Sequence, residues 1–191
     1  KSSILLFLIL NSFSLIACDI SKIQFFLDQN ITFQVTYEQN FNDSSDLIAG
    51  NIYRDYAKIK VSSSVPKEEL IINKNKIFRH DLEMDQLIIE ETGESTNQSP
   101  AFLLFNKPSL ICDFFSKVNC SDGSCLYSDP LDNFYLKNIK IDFENKKIKK
   151  IIYEDLFERI STVDLFKYEQ LDKKVSFEPK VSDETEKIFL N

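Results

Sequence analysis

Few residues in this chain of 191 are of types that do chemistry. His80 is the single histidine and stands beside Asp81. A general base must reach the proton it removes, and no serine or cysteine lies near it in sequence. It reads as a surface residue at a strand end. Ser121-Asp122-Gly123-Ser124 carries hydroxyls, but it has turn composition and no strand-to-helix elbow around it. Glu68-Glu69 and Glu90-Glu91 are adjacent pairs. Neighbours on a strand point to opposite faces, so neither makes a carboxylate dyad, and both read as solvated. These residues assemble no catalytic constellation, so the expectation is a protein that is not an enzyme and uses no cofactor.

The four cysteines carry more information. Leu15-Ile16-Ala17-Cys18 closes an apolar run, Ile4 to Leu10, that follows Lys1. Residues 1–17 therefore read as a secretory signal, too short to anchor in a bilayer, with a domain over 18–191. The tetrapeptide has the form of a lipobox, in which Cys18 would be diacylated and become the mature N-terminus. Parity supports the other reading, since four free thiols in an exported protein can form two bridges. Cys120 and Cys125 flank the turn 121–124 and could face one another across a hairpin. One histidine and scattered cysteines do not supply a metal set.

Charge narrows the class further. Thirty acidic against 23 basic side chains give a net charge of −7. The densest basic run, Lys146-Lys147-Ile148-Lys149-Lys150, alternates with isoleucine and reads as a strand edge. A nucleic-acid partner is disfavoured, because duplex binding needs a basic face. Three Gly, five Pro and 17 Phe describe a folded, Phe-rich chain.

The elements that position these residues follow from periodicity. Ile20, Ile23, Phe26 and Leu27 have helical spacing. From Ile31 onward the period is two: Ile31, Phe33, Val35 and Tyr37 alternate with polar residues, and similar runs continue to Glu90. Ser99-Pro100 opens a second helix, with Ser as N-cap and Pro at the first position. Its residues Ala101 to Phe105 are apolar on every side, so it must be covered all round or sit over an apolar opening. Leu110 to Phe115 reads as a short helix merging into a strand. Three longer strands occupy Phe134 to Phe143, Lys147 to Glu154 and Arg159 to Glu169, and Val175 to Val181 reads as an edge strand or extended arm. The expected fold is mainly β: one curved antiparallel sheet, an open half-barrel of about ten or eleven strands. Short helices near 20–28 and 99–106 would cover it as a lid.

Several segments resemble a known family in order and spacing. Phe33-Gln34-Val35-Thr36-Tyr37-Glu38-Gln39 resembles the aromatic, aromatic, Gln signature on the first strand of the outer-membrane lipoprotein carrier family, LolA. Gly50-Asn51-Ile52-Tyr53-Arg54 stands where that family opens its second strand with Gly. Pro66 to Asn73, then Lys76 to Asp81 and Gln86, resemble its next strands. Ser99-Pro100 with Leu103-Leu104 resembles the opening of its lid helix; Asp155, Arg159 to Val163 and Phe177-Glu178-Pro179 resemble its end. The family places Arg-Pro shortly after the Gly, its Arg being tied to lid opening; here Tyr56-Ala57 occupy that place and Arg54 lies two positions earlier. A Gly expected near Asp155 is replaced by Leu156, Phe157 or Glu158.

The resemblance implies a monomeric periplasmic chaperone of a Gram-negative bacterium. It would take acylated lipoproteins from an inner-membrane ABC-type release complex and pass them to an outer-membrane acceptor. The sister family LolB, an acceptor of the same fold anchored through a lipidated N-terminal Cys, is the alternative if Cys18 is acylated; a structural envelope lipoprotein is another. Acyl chains need enclosed apolar surface. The candidate lipid-binding residues are Phe33, Val35, Ile52, Ile59 and Val61 on the sheet and Phe102, Leu103 and Phe105 on the lid.

Overall fold

The computed structural model describes residues 18–42, 47–91, 104–131 and 134–190. Helix α1 (Ser21–Gln29) buries Ile23, Phe26 and Leu27, whose spacing places them on one stripe. Asp19 Oδ1 accepts the Ser21 N–H at its start, and the Asn30 side chain donates to Phe26 O at its end. The hydrogen bonds from Ser21 hold the Asp19 carboxyl below its ordinary pKa.

Among the described residues twelve strands follow: β1 (Thr32–Phe41), β2 (Leu47–Asp55), β3 (Lys58–Ser63), β4 (Glu68–Asn73), β5 (Lys76–Asp81), β6 (Gln86–Glu91), β7 (Phe115–Cys120), β8 (Ser124–Pro130), β9 (Leu136–Glu144), β10 (Lys147–Asp155), β11 (Ile160–Glu169) and β12 (Glu186–Leu190). A 3-10 turn (Pro108–Leu110) and the single-turn helix α2 (Ile111–Phe114) lead into β7. All twelve strands lie in one sheet, ordered β12-β6-β5-β4-β3-β2-β1-β11-β10-β9-β8-β7. Two meanders, β1–β6 and β7–β11, are joined where β1 pairs with β11.

The expected curved, mainly β architecture is found, with one strand more than expected and one parallel pair. That pair is β12 with β6. It forms because the chain leaving β11 crosses the sheet before adding its last strand at the far edge. The run 146–150 is not at an edge either: β10 is paired on both sides, with Lys150 bonded to Asp164 and Lys149 to Glu144. The link between β9 and β10 places Asn145 and Lys146 at positive φ, as a two-residue hairpin turn requires.

The alternation assigns side chains to two faces. Phe33, Val35 and Tyr37 oppose Arg54, Ile52 and Gly50, which oppose Ile59, Val61 and Ser63 in turn. This concave face, with α1 and residues 104–115, holds the main core. A Cβ on Gly50 would stand 1.9 Å from Ser62 O, so the close approach of β2 and β3 requires glycine there. On the opposite face the arm after β11 is fastened at Asn73, whose Nδ2 donates to Phe177 O and Glu178 Oε1. Ile71, Leu87 and Phe177 are buried outside the main core. Lys60 and Glu69 form a 2.6 Å ion pair there, so Glu69 is not a solvated residue.

His80 departs from expectation in the same region. It is 3% exposed and bonded through Nε2 to Asp85 Oδ1. The arm explains its burial, since Ser182 and Thr185 also bond to Asp85 and bring the arm down beside it.

Candidate functional site

Phe33, Val35, Ile52 and Ile59 fall on one face of three neighbouring strands, and all are buried. The Phe26 ring of α1 meets Phe33 edge-on at 5.6 Å, and Phe105 meets it at 6.1 Å. Phe105 is 1% exposed. These four sheet residues and Phe105 therefore form an apolar wall and part of its cover. Phe102 and Leu103 lie outside the described residues.

Val61 continues the wall into open space. With Tyr37, Ile48, Leu70 and Ile88 it lines a concavity of about 410 Å³, a volume within the range of small-ligand sites. Gln39, Ser63, Glu68, Arg79, Asp81 and Gln86 supply its polar margin. Burial, then the nearby Glu68 carboxylate, pushes the Tyr37 hydroxyl up to about 12, so it stays protonated. Arg79 is bonded to Glu90 at 2.9 Å, which accounts for one acidic residue of the 90–91 pair.

Arg54 is the functional candidate that residue type alone did not single out. It occupies the apolar face of β2 two positions after Ile52, yet it is buried. Its Nε donates to Phe105 O at 2.9 Å, and its Nη1 lies 2.7 Å from Asn30 O and 3.2 Å from Leu27 O and Ile31 O. One guanidinium thus holds the exit of α1 and the Phe105 backbone against the sheet. Burial lowers its pKa, with Asp28 partly offsetting that effect. The signal was legible as a charge set into an apolar alternation.

The cysteines form two bridges. Cys120 is bonded to Cys125 across the β7–β8 hairpin, where the two are register partners. Cys18 is bonded to Cys112, 94 positions away. Lipidation of Cys18 is incompatible with this arrangement, because a sulfur engaged in a disulfide has no bond left for a thioether. Among the described residues no group of three His, Cys, Asp or Glu could hold a metal ion, and no helix is long and apolar enough to cross a membrane.

The chain matches the outer membrane lipoprotein carrier protein LolA family over residues 31–178. It belongs to that family. LolA relatives are non-enzymatic carriers, which places the chain among lipoprotein-binding or sorting proteins. No curated protein sequence matches it. Among solved structures, an uncharacterized conserved protein from Thermus thermophilus superposes with a TM-score of 0.57 at 7% identity, covering 88% of this chain and 98% of that one. The likeness is one of fold. A LolA superfamily protein from Nitrosomonas europaea gives 0.42 at 13% identity, over 74% of this chain and 86% of that one. A putative outer membrane lipoprotein-sorting protein domain from Vibrio parahaemolyticus gives 0.39 at 9%, over 76% and 87%.

Proposed function

We propose that this chain is a periplasmic carrier that shields the acyl chains of lipoproteins released from the inner membrane and delivers them to an outer-membrane acceptor. Residues 1–17 would serve as the export signal and 18–191 as the carrier domain. Cargo would come from an ABC-type release complex, and the protein would work as a monomer without a cofactor. The observation that carries this reading is the continuity of the apolar wall. It runs from Phe33, Val35, Ile52 and Ile59 under the cover to Val61 in the open concavity.

Each buried methylene of an acyl chain contributes about 0.8 kcal/mol, so cargo leaving a bilayer needs an apolar surface long enough to replace most of that term. The wall under α1 and Phe105 is such a surface once its cover lifts, and the open end at Val61 is where a chain would enter. The engaged sulfur of Cys18 supports a diffusing carrier over an anchored acceptor.

The test is co-purification of an acylated lipoprotein with wild type and with Val61→Glu, with circular dichroism as the folding control. A carboxylate placed on the wall is costly to bury against acyl chains, and Arg79, a cation of the same concavity, is already engaged by Glu90. Cargo should be lost while the sheet signal stays unchanged. Equal recovery from both proteins, or no cargo on wild type, would remove the carrier reading. Intact mass of the mature protein checks Cys18, where a diacylglycerol adduct would restore the anchored alternative.

A further inference from the structure

The concave face is covered by two pieces far apart in sequence, α1 and residues 104–114. Ile23 and Phe26 of the first and Leu104, Phe105 and Ile111 of the second are fully or almost fully buried. They are tied at two places. Arg54 holds the exit of α1 and the Phe105 carbonyl. At the other end of α1, Cys18 is bonded to Cys112 of α2, with Cα atoms 5.5 Å apart.

The second tie differs from the first in kind. Hydrogen bonds to Arg54 break and reform with thermal motion, whereas a disulfide persists until a thiol attacks it. Its setting permits that attack, because Cys18 and Cys112 are both partly exposed. In the hairpin bridge Cys125 is buried and Cys120 is partly exposed, so what sets Cys18–Cys112 apart is that it joins the two pieces of the cover, whereas Cys120–Cys125 closes a hairpin within the sheet.

We infer that the Cys18–Cys112 disulfide is a redox-sensitive clamp that joins α1 and residues 104–114 into one cover over the apolar wall, and that its reduction lets the two pieces leave separately. The consequence for cargo rests on the carrier reading above; the clamp itself does not. A dithiol reductant completes the chemistry. One of its thiolates attacks a sulfur of the bridge and forms a mixed disulfide, and the other displaces it. Two electrons and two protons pass to Cys18 and Cys112, and the reductant becomes its own cyclic disulfide.

The experiment uses the full chain in three forms: wild type, Cys18→Ser/Cys112→Ser and Cys120→Ser/Cys125→Ser. Amide hydrogen exchange is followed over residues 21–29 and 104–114, with and without dithiothreitol. Binding of a dipalmitoylated peptide is measured in parallel. Exchange at Leu104, Phe105 and Ile111 should rise at least tenfold in the Cys18/Cys112 variant and in reduced wild type, with β1–β3 still protected. The hairpin variant should match oxidised wild type. Peptide affinity should rise several-fold with the exchange. Unchanged exchange in the clamp variant and in reduced wild type would overturn the clamp whatever the peptide does, as would an equal rise in the hairpin variant. A rise in exchange with no peptide binding in any form would uphold the clamp and remove the acyl-chain reading. Reduced wild type gives the answer even if the double-serine variant does not fold.

Discussion

Replacing Arg54 by leucine should release the cover while leaving the sheet intact. Leucine at position 54 would continue the apolar row that runs through Ile52, so the strand keeps a side chain suited to its face. What is lost is the guanidinium with its bonds to Phe105 O, Asn30 O, Leu27 O and Ile31 O. A hydrogen bond from a charged donor contributes about 1.5–3 kcal/mol, and four would exceed that range several-fold if they added. They do not add. Two of the four contacts are long, one Nη1 serves three carbonyls, and removing the charge recovers its cost of burial. A net loss of about 2 kcal/mol from the covered state is the reasonable magnitude, equivalent to a roughly 30-fold shift toward an uncovered one. The freed carbonyls favour the same direction, because in the uncovered form they can bond to water. Amide exchange over residues 104–114 should accelerate by that factor, and an apolar fluorescent probe should bind more tightly. The denaturation midpoint of the strands should move little. Exchange within twofold of wild type would show that burial of Phe105 and Leu104, not Arg54, holds the cover. Equal acceleration in all strands would mean that Arg54 supports the fold as a whole.

Other substitutions test the rest of the framework. Gly50→Ala places a methyl against the backbone of Ser62; it should cost at least about 2 kcal/mol, read from urea unfolding, and change the exchange of β2 and β3 first. Phe26→Ala empties a fully buried site and should cost about 3–5 kcal/mol in the same assay. Removing the Cys18–Cys112 bridge, with its separation of 94, should lower stability by about 4–5 kcal/mol, against about 2 kcal/mol for Cys120–Cys125 with a separation of 5; equal losses would contradict the loop-closure account. The Asp85 carboxyl is held below its ordinary pKa by hydrogen bonds, first from Thr185 and then from His80. A depressed folded value means the contact stabilises the arm above the unfolded carboxylate range and fades as pH falls through the lowered value. Exchange at Glu186–Leu190, corrected for intrinsic rate, should therefore rise between about pH 5 and about pH 3.

The parts of this structure legible in the sequence are those where one residue's environment depends on near neighbours. The alternation at Phe33, Val35 and Tyr37 named a strand and its buried face, and the turn between Cys120 and Cys125 named a hairpin. The position of β12 was not legible, because Glu186–Leu190 pairs with Gln86–Glu90 and no local pattern announces a partner 100 residues away. His80 was misread for the same reason, since a distant arm buries it. Arg54 was in view as a departure from the family spacing, but its role depends on carbonyls of two other segments. A charge in an apolar row marks a group that must find partners, though it does not say which.

The seam between β1 and β11 has a consequence for how the chain reaches this state. Within each meander every strand pairs with its neighbour in sequence, so loop closure is inexpensive and early pairing is fast. At the seam, by contrast, Gln34 meets Glu169, 135 positions away. The two meanders can form independently, and the two edges that will meet, β1 on the first and β11 on the second, stay open until they do. Joining those edges is the long-range event of folding, and it sets the period during which unpaired strands are open to other chains. A chain secreted unfolded would be most prone to aggregation in that interval, and charges such as Glu38 and Asp164, which face one another across the seam, stand where an edge needs protection until its partner arrives.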